Sequence, residues 1–237
     1  MEVWIADTEF LELDRQLEGM MALLPAAERE KALRFRKRED SLRCTVGRLL
    51  IHTLAAERLG RVDMSLRFSE YGKPFFACEN AVQFSLSHAG KLVVLAFGDV
   101  PLGVDVEERR PCNWRELASV FGAEEQSLLR RSEDSLGMFY RLWTVWEAFS
   151  KEEGLGLVIF ENGDAIMDYG SETIHHQSRT LRFRSWETPG YTMSVCAEQL
   201  GEIRLRCLSS EDWNQILMVN RGTSPPERKK GVEKEFN

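Results

Sequence analysis

Between Glu28 and Gly60 the apolar positions Leu33, Leu42, Val46, Leu49, Leu50, Leu54 and Leu59 recur at helical spacing, with a break near Lys37–Asp40. Such a period buries one face of a helix, so the stretch predicts a short helix and then a long one, closed by Gly60 as C-cap. Pro25 suits the start of the first, where its missing N–H would have no partner anyway. Upstream, Val3-Trp4-Ile5 predicts an edge strand within residues 1–7, followed by a helical stretch. Downstream, strand signals alternate with turns. Leu66–Ser69 runs into a turn at Tyr71-Gly72-Lys73-Pro74, and Val82–Ser87 and Leu92–Phe97 bracket His88-Ala89-Gly90-Lys91 as a hairpin. Gly98-Asp99-Val100-Pro101 then turns into a strand over Gly103–Glu107.

After Arg109-Arg110-Pro111, helices are expected around Trp114–Val120 and beyond Gly122, then a longer one over Phe139–Lys151. Strands follow at Ala165–Asp168, Leu181–Trp186 and Tyr191–Ala197. The polar closing stretch Arg221–Asn237 predicts disorder. Helices followed by a β-meander in each half predict an α+β fold of duplicated units, although no letter-by-letter repeat is visible. The expected division is residues 1–107, residues 108–220 and a tail over 221–237.

Composition narrows the class. A chain of 237 residues with 43% hydrophobic and 29% charged residues is ordinary for a soluble protein with a sizeable core. Met1–Phe10 carries Glu2, Asp7 and Glu9 and no basic segment, unlike a secretory signal, and no apolar run approaches membrane-spanning length. The five cysteines are scattered without a Cys-x-x-Cys pair, and with four histidines they offer no zinc spacing; reduced thiols in the cytoplasm are expected. A net charge of −7 argues against nucleic acid. Between Arg29 and Arg61, however, ten basic residues face four acids, a local balance suited to a small polyanion or an acidic partner, or simply to a solvated helix face.

Three segments carry candidate chemistry. On a strand Asp105 and Glu107 share one face and Val104 and Val106 the other; on a helix Glu147 and Lys151 stand one turn apart. If the two segments meet, they present three oxygen ligands for a hard cation beside an ammonium for a phosphate. Taken singly, the first is a strand end with solvated acids, and the second an exposed Glu–Lys pair worth about 0.2–0.5 kcal/mol. In Phe84-Ser85-Leu86-Ser87-His88-Ala89-Gly90, neighbouring Ser87 and His88 point apart and cannot serve as nucleophile and base, and no Gly-x-Ser-x-Gly elbow exists. A tight turn there can bind a phosphate oxygen through Ser87, His88 and a free N–H, or can be a plain hairpin with a structural histidine.

In order and spacing, Gly72-Lys73-Pro74, Phe84–His88, Gly103–Glu107 and Trp143–Lys151 resemble the motifs of the Sfp-type 4′-phosphopantetheinyl transferases. The resemblance extends back to Arg34-Phe35, Arg43 and Gly47 and on to Gly190–Cys196, so it covers most of the chain. It implies a pseudo-twofold fold of two similar α/β halves with coenzyme A (CoA) at their junction. The implied reaction moves the phosphopantetheine arm of CoA to a serine of an apo acyl or peptidyl carrier protein, releasing adenosine 3′,5′-bisphosphate. On that template Asp105, Glu107 and Glu147 surround Mg²⁺ on the CoA pyrophosphate, Lys151 stabilises phosphate charge, and Glu147 is the general base. Lys31, Arg43, Ser87 and His88 hold CoA phosphates, and Lys73 and Pro74 line the adenine end. The helices after Pro111 present a surface to the carrier. A cytoplasmic monomer acting in secondary metabolism is the expected setting.

Two positions depart from the family pattern. Trp146 stands where a lysine usually precedes the metal glutamate, and Cys44 follows Arg43 where threonine is frequent, with Thr45 one position on. Trp146 motivates the rival expectation of a CoA- or carrier-binding homologue with reduced or lost transfer.

Overall fold

Alternating side chains sort the strands of this protein into faces, and those faces fix how its layers stack. The computed structural model describes residues 1–59, 66–76, 82–156 and 165–222. The first part runs β1 (Glu2–Asp7), a 3₁₀ turn at Leu13–Gln16, α1 (Leu17–Met21), α2 (Ala26–Leu33), α3 (Arg38–Leu59), β2 (Leu66–Phe68), β3 (Pro74–Phe76), β4 (Gln83–Ala89), β5 (Leu92–Gly98) and β6 (Leu102–Glu108). The second runs α4 (Trp114–Leu117), a 3₁₀ turn at Ala118–Val120, α5 (Ala123–Arg131), α6 (Ser135–Glu153), β7 (Ala165–Asp168), β8 (Thr173–His176), β9 (Arg179–Thr188), β10 (Tyr191–Ala197), β11 (Arg204–Cys207) and α7 (Ser210–Asn220).

The strands form a four-stranded sheet ordered β11-β1-β5-β4, a five-stranded sheet ordered β6-β10-β9-β8-β7, and the small β2–β3 hairpin. Along β1 and β5, Trp4, Ala6, Val93, Leu95 and Phe97 join a core with Leu42, Val46, Leu49 and Leu50 of α3. Their alternates Val3, Ile5, Val94 and Ala96 pack on Val104, Val106, Met193 and Val195 of the second sheet. The far side of that sheet holds Phe183 and Cys196 against Leu142, Val145 and Phe149 of α6. Helix, sheet, sheet and helix therefore stack in that order, with one long helix backing each half, in an α+β fold.

Local chemistry starts and stops the helices. The Asp134 carboxylate caps α6 by accepting from Gly137 N at 2.8 Å, and Gly154 ends it with φ of 74°. At Gly103 a Cβ would lie 1.8 Å from Ala148 O, so only glycine lets β6 pass this close beneath α6.

The division into halves differs from the sequence expectation at both borders. β6, expected to close the first half at residue 107, is hydrogen-bonded to β10 in the second sheet. The stretch expected to complete the second half up to residue 220 instead returns to the first. β11 pairs in parallel with β1, and Trp213, Ile216 and Leu217 of α7 enter the core around α3. The expected hairpin turn is also shorter, because β4 continues through Ser87 and His88 to Ala89 and only Gly90-Lys91 reverses the chain. Strands β8 and β11 and helix α7 were not anticipated. The expected cap at Gly60, the basic Arg61, Cys78 and the tail from residue 223 lie outside the described residues.

Candidate active site

β6 turns Asp105 and Glu107 toward α6, while Val104 and Val106 are committed to the core between the sheets. On α6 the side chains of Trp143, Glu147 and Lys151, four residues apart, form one stripe facing those acids. The meeting is tight. Lys151 Nζ lies 2.6 Å from Asp105 Oδ1 and donates to Ser87 Oγ at 2.9 Å. Ser87 Oγ in turn donates to Asp105 Oδ1 at 2.8 Å and accepts from Val106 N at 3.3 Å. Ser85 Oγ accepts from Val104 N at 3.1 Å, so β4 serves the open edge of β6 with hydroxyls instead of backbone carbonyls.

Three carboxylates here share one ammonium. Asp105 is 3% exposed and its Oδ2 has no hydrogen-bond partner. Burial first, then the Asp105 and Glu147 charges, push Glu107 up to about 7 against the pull of Lys151 and a hydrogen bond from Trp143. Burial and then Asp105 raise Glu147 as well, again opposed by Lys151. Like charges in a low-dielectric site repel strongly, and a divalent cation is the natural relief. Among the described residues, no three acidic, histidine or cysteine side chains stand gathered around a single point as a ready-made metal site. The donor set and the orphaned Asp105 oxygen nevertheless fit a hard cation that prefers oxygen ligands.

Positive groups border the acids. Arg43 pairs with Asp40 and donates to Gly90 O at 2.5 Å, which ties α3 to the β4–β5 turn. His88 keeps solvent contact, yet the protein mass around its ring and then the Arg43 cation hold it below the usual imidazole value. A cavity of about 260 Å³ opens beside α6, walled by Lys73, Pro74, Ser85, Leu86, Glu147 and Lys151. The Lys73 ammonium donates to Glu152 O at 3.0 Å, and burial lowers its proton affinity. Lys31 stands 4.3 Å above the Phe68 ring, whose strand partner is Pro74.

The structure thus brings Asp105, Glu107, Glu147, Lys151, Ser87, His88 and Arg43 together, with Lys73 and Pro74 on the adjoining cavity wall and Lys31 at the β2–β3 edge. Ser87 differs from expectation. Its place in a strand is the one expected, but its buried hydroxyl is spent on Asp105 and Lys151 instead of on a phosphate. Trp146 is buried in the α6 core, as its place among the apolar positions of this helix predicts, with its ring 6.2 Å from that of Phe149. Thr45 does not take over a phosphate bond from Cys44, because its hydroxyl is buried and donates to Ser41 O at 2.8 Å. Trp143, one turn from Glu147, adds a donor to the stripe through its hydrogen bond to Glu107.

A carboxylate cluster with one lysine, walled by a cavity and bordered by arginine and histidine, defines an enzyme that handles phosphoryl groups. Comparison with known proteins names the kind. Residues 12–99 match the family model "4′-phosphopantetheinyl transferase, N-terminal", and residues 101–196 match that of the 4′-phosphopantetheinyl transferase superfamily. The chain is 30% identical over 197 residues to the 4′-phosphopantetheinyl transferase ffp of Bacillus subtilis, covering 77% of this chain and 85% of that protein. It is 30% identical over 195 residues to Sfp of Bacillus subtilis strain 168, covering 76% and 84%. To AcpT of Escherichia coli K12 it is 38% identical over 181 residues, covering 74% and 83%. The chain belongs to the Sfp-type 4′-phosphopantetheinyl transferases and is an enzyme of that class.

Proposed function

We propose that this enzyme moves the 4′-phosphopantetheine arm of CoA to a serine hydroxyl of an apo acyl or peptidyl carrier protein, releasing adenosine 3′,5′-bisphosphate, with Mg²⁺ held by Asp105, Glu107 and Glu147. The observation that carries the reading is the set of three carboxylates sharing Lys151 at the wall of a cavity. Mg²⁺ bound there supplies charge neutralisation for the CoA pyrophosphate. With CoA present, Lys151 exchanges its bond to Asp105 for one to a phosphate oxygen and stabilises the charge that grows on the leaving group. Glu147 accepts the serine proton, directly or through a water, and its raised proton affinity suits it to that task. Arg43, His88 and Lys31 hold the remaining phosphates, and Lys73 and Pro74 flank the adenine.

The carrier docks on the helices after Pro111, where Leu117 and Val120 are about half exposed. All the residues assigned roles in this reading come from one chain, and the enzyme is read as a monomer. No helix among the described residues is long and apolar enough to cross a membrane. The reading includes a cytoplasmic enzyme serving secondary-metabolite carriers. Incubation with CoA, Mg²⁺ and a panel of apo carrier domains, followed by intact mass, tests it. A mass gain of one phosphopantetheine arm on a carrier is expected. No gain on any carrier, with a fluorescent CoA analogue still bound, would establish a binding homologue instead.

A further inference from the structure

Thr192 of β10 sits directly opposite Glu107 of β6, as Ser194 sits opposite Asp105. Residues paired this way across an antiparallel ladder project from the same face, with Cβ atoms about 4.5–5.5 Å apart. That face is turned to α6, because Ser194 Oγ lies 2.7 Å from Thr144 Oγ1 and 2.8 Å from Ser185 Oγ. Those three hydroxyls satisfy one another. Thr192 is different: it is 0% exposed and its hydroxyl has no hydrogen-bond partner. A buried hydroxyl left unbonded destabilises the fold, whereas valine would fill the same space without that cost. The acid beside it already takes one donor, the Trp143 indole N–H, and an ionised carboxylate accepts several.

We propose that Thr192 is a positioning residue for Glu107, its hydroxyl donating to the Glu107 carboxylate when that carboxylate turns onto the cation. Trp143 then holds the acid from the helix and Thr192 from the strand behind it. The inference rests on the metal reading above. Donors that fix a metal-binding carboxylate typically matter about 10–100-fold in metal affinity.

Mn²⁺ titration of the full chain with CoA, followed by electron paramagnetic resonance, tests it. Thr192→Val should bind Mn²⁺ at least about tenfold more weakly, and Thr192→Ser, which keeps the hydroxyl, should stay near wild type. Should the valine variant fail to fold, Thr192→Ala gives the same comparison. Wild-type Mn²⁺ affinity in the valine or alanine variant, even with an altered thermal midpoint, would overturn the proposal. Equal weakening by valine and serine would overturn it too, since packing would then be responsible. Glu107→Gln separates the two layers. If it binds Mn²⁺ as the wild type does, the metal reading falls with the inference; if it weakens binding while Thr192→Val does not, only the role of Thr192 falls.

Discussion

Lys151 and Asp105 close the junction of α6 and β6, Nζ to Oδ1 at 2.6 Å, with the Ser87 hydroxyl bonded to both. Asp105→Asn removes the charge that holds Lys151 and one proposed ligand of the cation. Transfer should fall at least about 100-fold, as when a charge-stabilising group is lost from an active site. The thermal midpoint should also cease to rise on adding Mg²⁺ with CoA. Differential scanning fluorimetry and carrier mass analysis read the two effects; a variant still stabilised by Mg²⁺ would remove Asp105 from the ligand set.

Glu147→Gln keeps the shape of the side chain and deletes its basicity. We expect transfer to disappear while the thermal midpoint without metal stays at or above wild type, because one of three mutually repelling acids is gone. Turnover within about tenfold of wild type would show that this carboxylate is neither base nor essential ligand.

Gly103→Ala places a methyl group 1.8 Å from Ala148 O and 2.7 Å from Glu152 N, both backbone atoms that a side-chain rotation cannot clear. Separating β6 from α6 should cost about 3 kcal/mol or more, measured by urea denaturation. It should reduce transfer beyond what the lost folded fraction explains.

Arg179 of β9 reaches Glu152 and Glu153 at the end of α6, both at 2.6 Å, and Glu198 at 2.5 Å. The Glu152 side chain is 1% exposed, so Arg179→Met strands a buried charge and should destabilise the protein by about 3 kcal/mol. The double variant Arg179→Met with Glu152→Gln should recover part of that loss. Equal stability of the single and double variants would contradict the account.

Burial holds the Lys73 ammonium below the ordinary lysine value, against the pull of Glu152 and Glu153. Between the folded and unfolded values the unfolded chain binds more protons, so this residue's contribution makes stability rise as pH climbs toward about 10.5. Wild type should therefore gain stability relative to Lys73→Met over the upper part of that window. Denaturation curves of both proteins at several alkaline pH values measure it, and parallel pH profiles would show the ammonium to be unperturbed.

The elements that hold the carboxylates were legible because each buries one face and shows it in the sequence. Val104 and Val106 alternate with Asp105 and Glu107, and the aromatic stripe of α6 repeats at helical spacing. Arg204–Cys207 shows no such pattern, since its side chains are exposed or half-buried and β1 alone makes it a strand. Helix α7 did advertise itself through the Ser209–Asp212 capping box ahead of Trp213. Within the site, motif spacing located the acids and Lys151, but it could not reveal which way a neighbour turns. Ser87, a strand residue by its pattern, turns its hydroxyl to Asp105 and Lys151.

The parallel pairing of Glu2–Ile5 with Arg204–Cys207 also orders events during synthesis. Strand β1 keeps one edge open until residues made some two hundred positions later have left the ribosome. The first half therefore cannot be completed ahead of the second, and closure across so long a separation slows the final step. The sheet that carries β4 and its Ser87 thus gains its last strand only after β6 and α6, which hold Asp105 and Lys151, have been made.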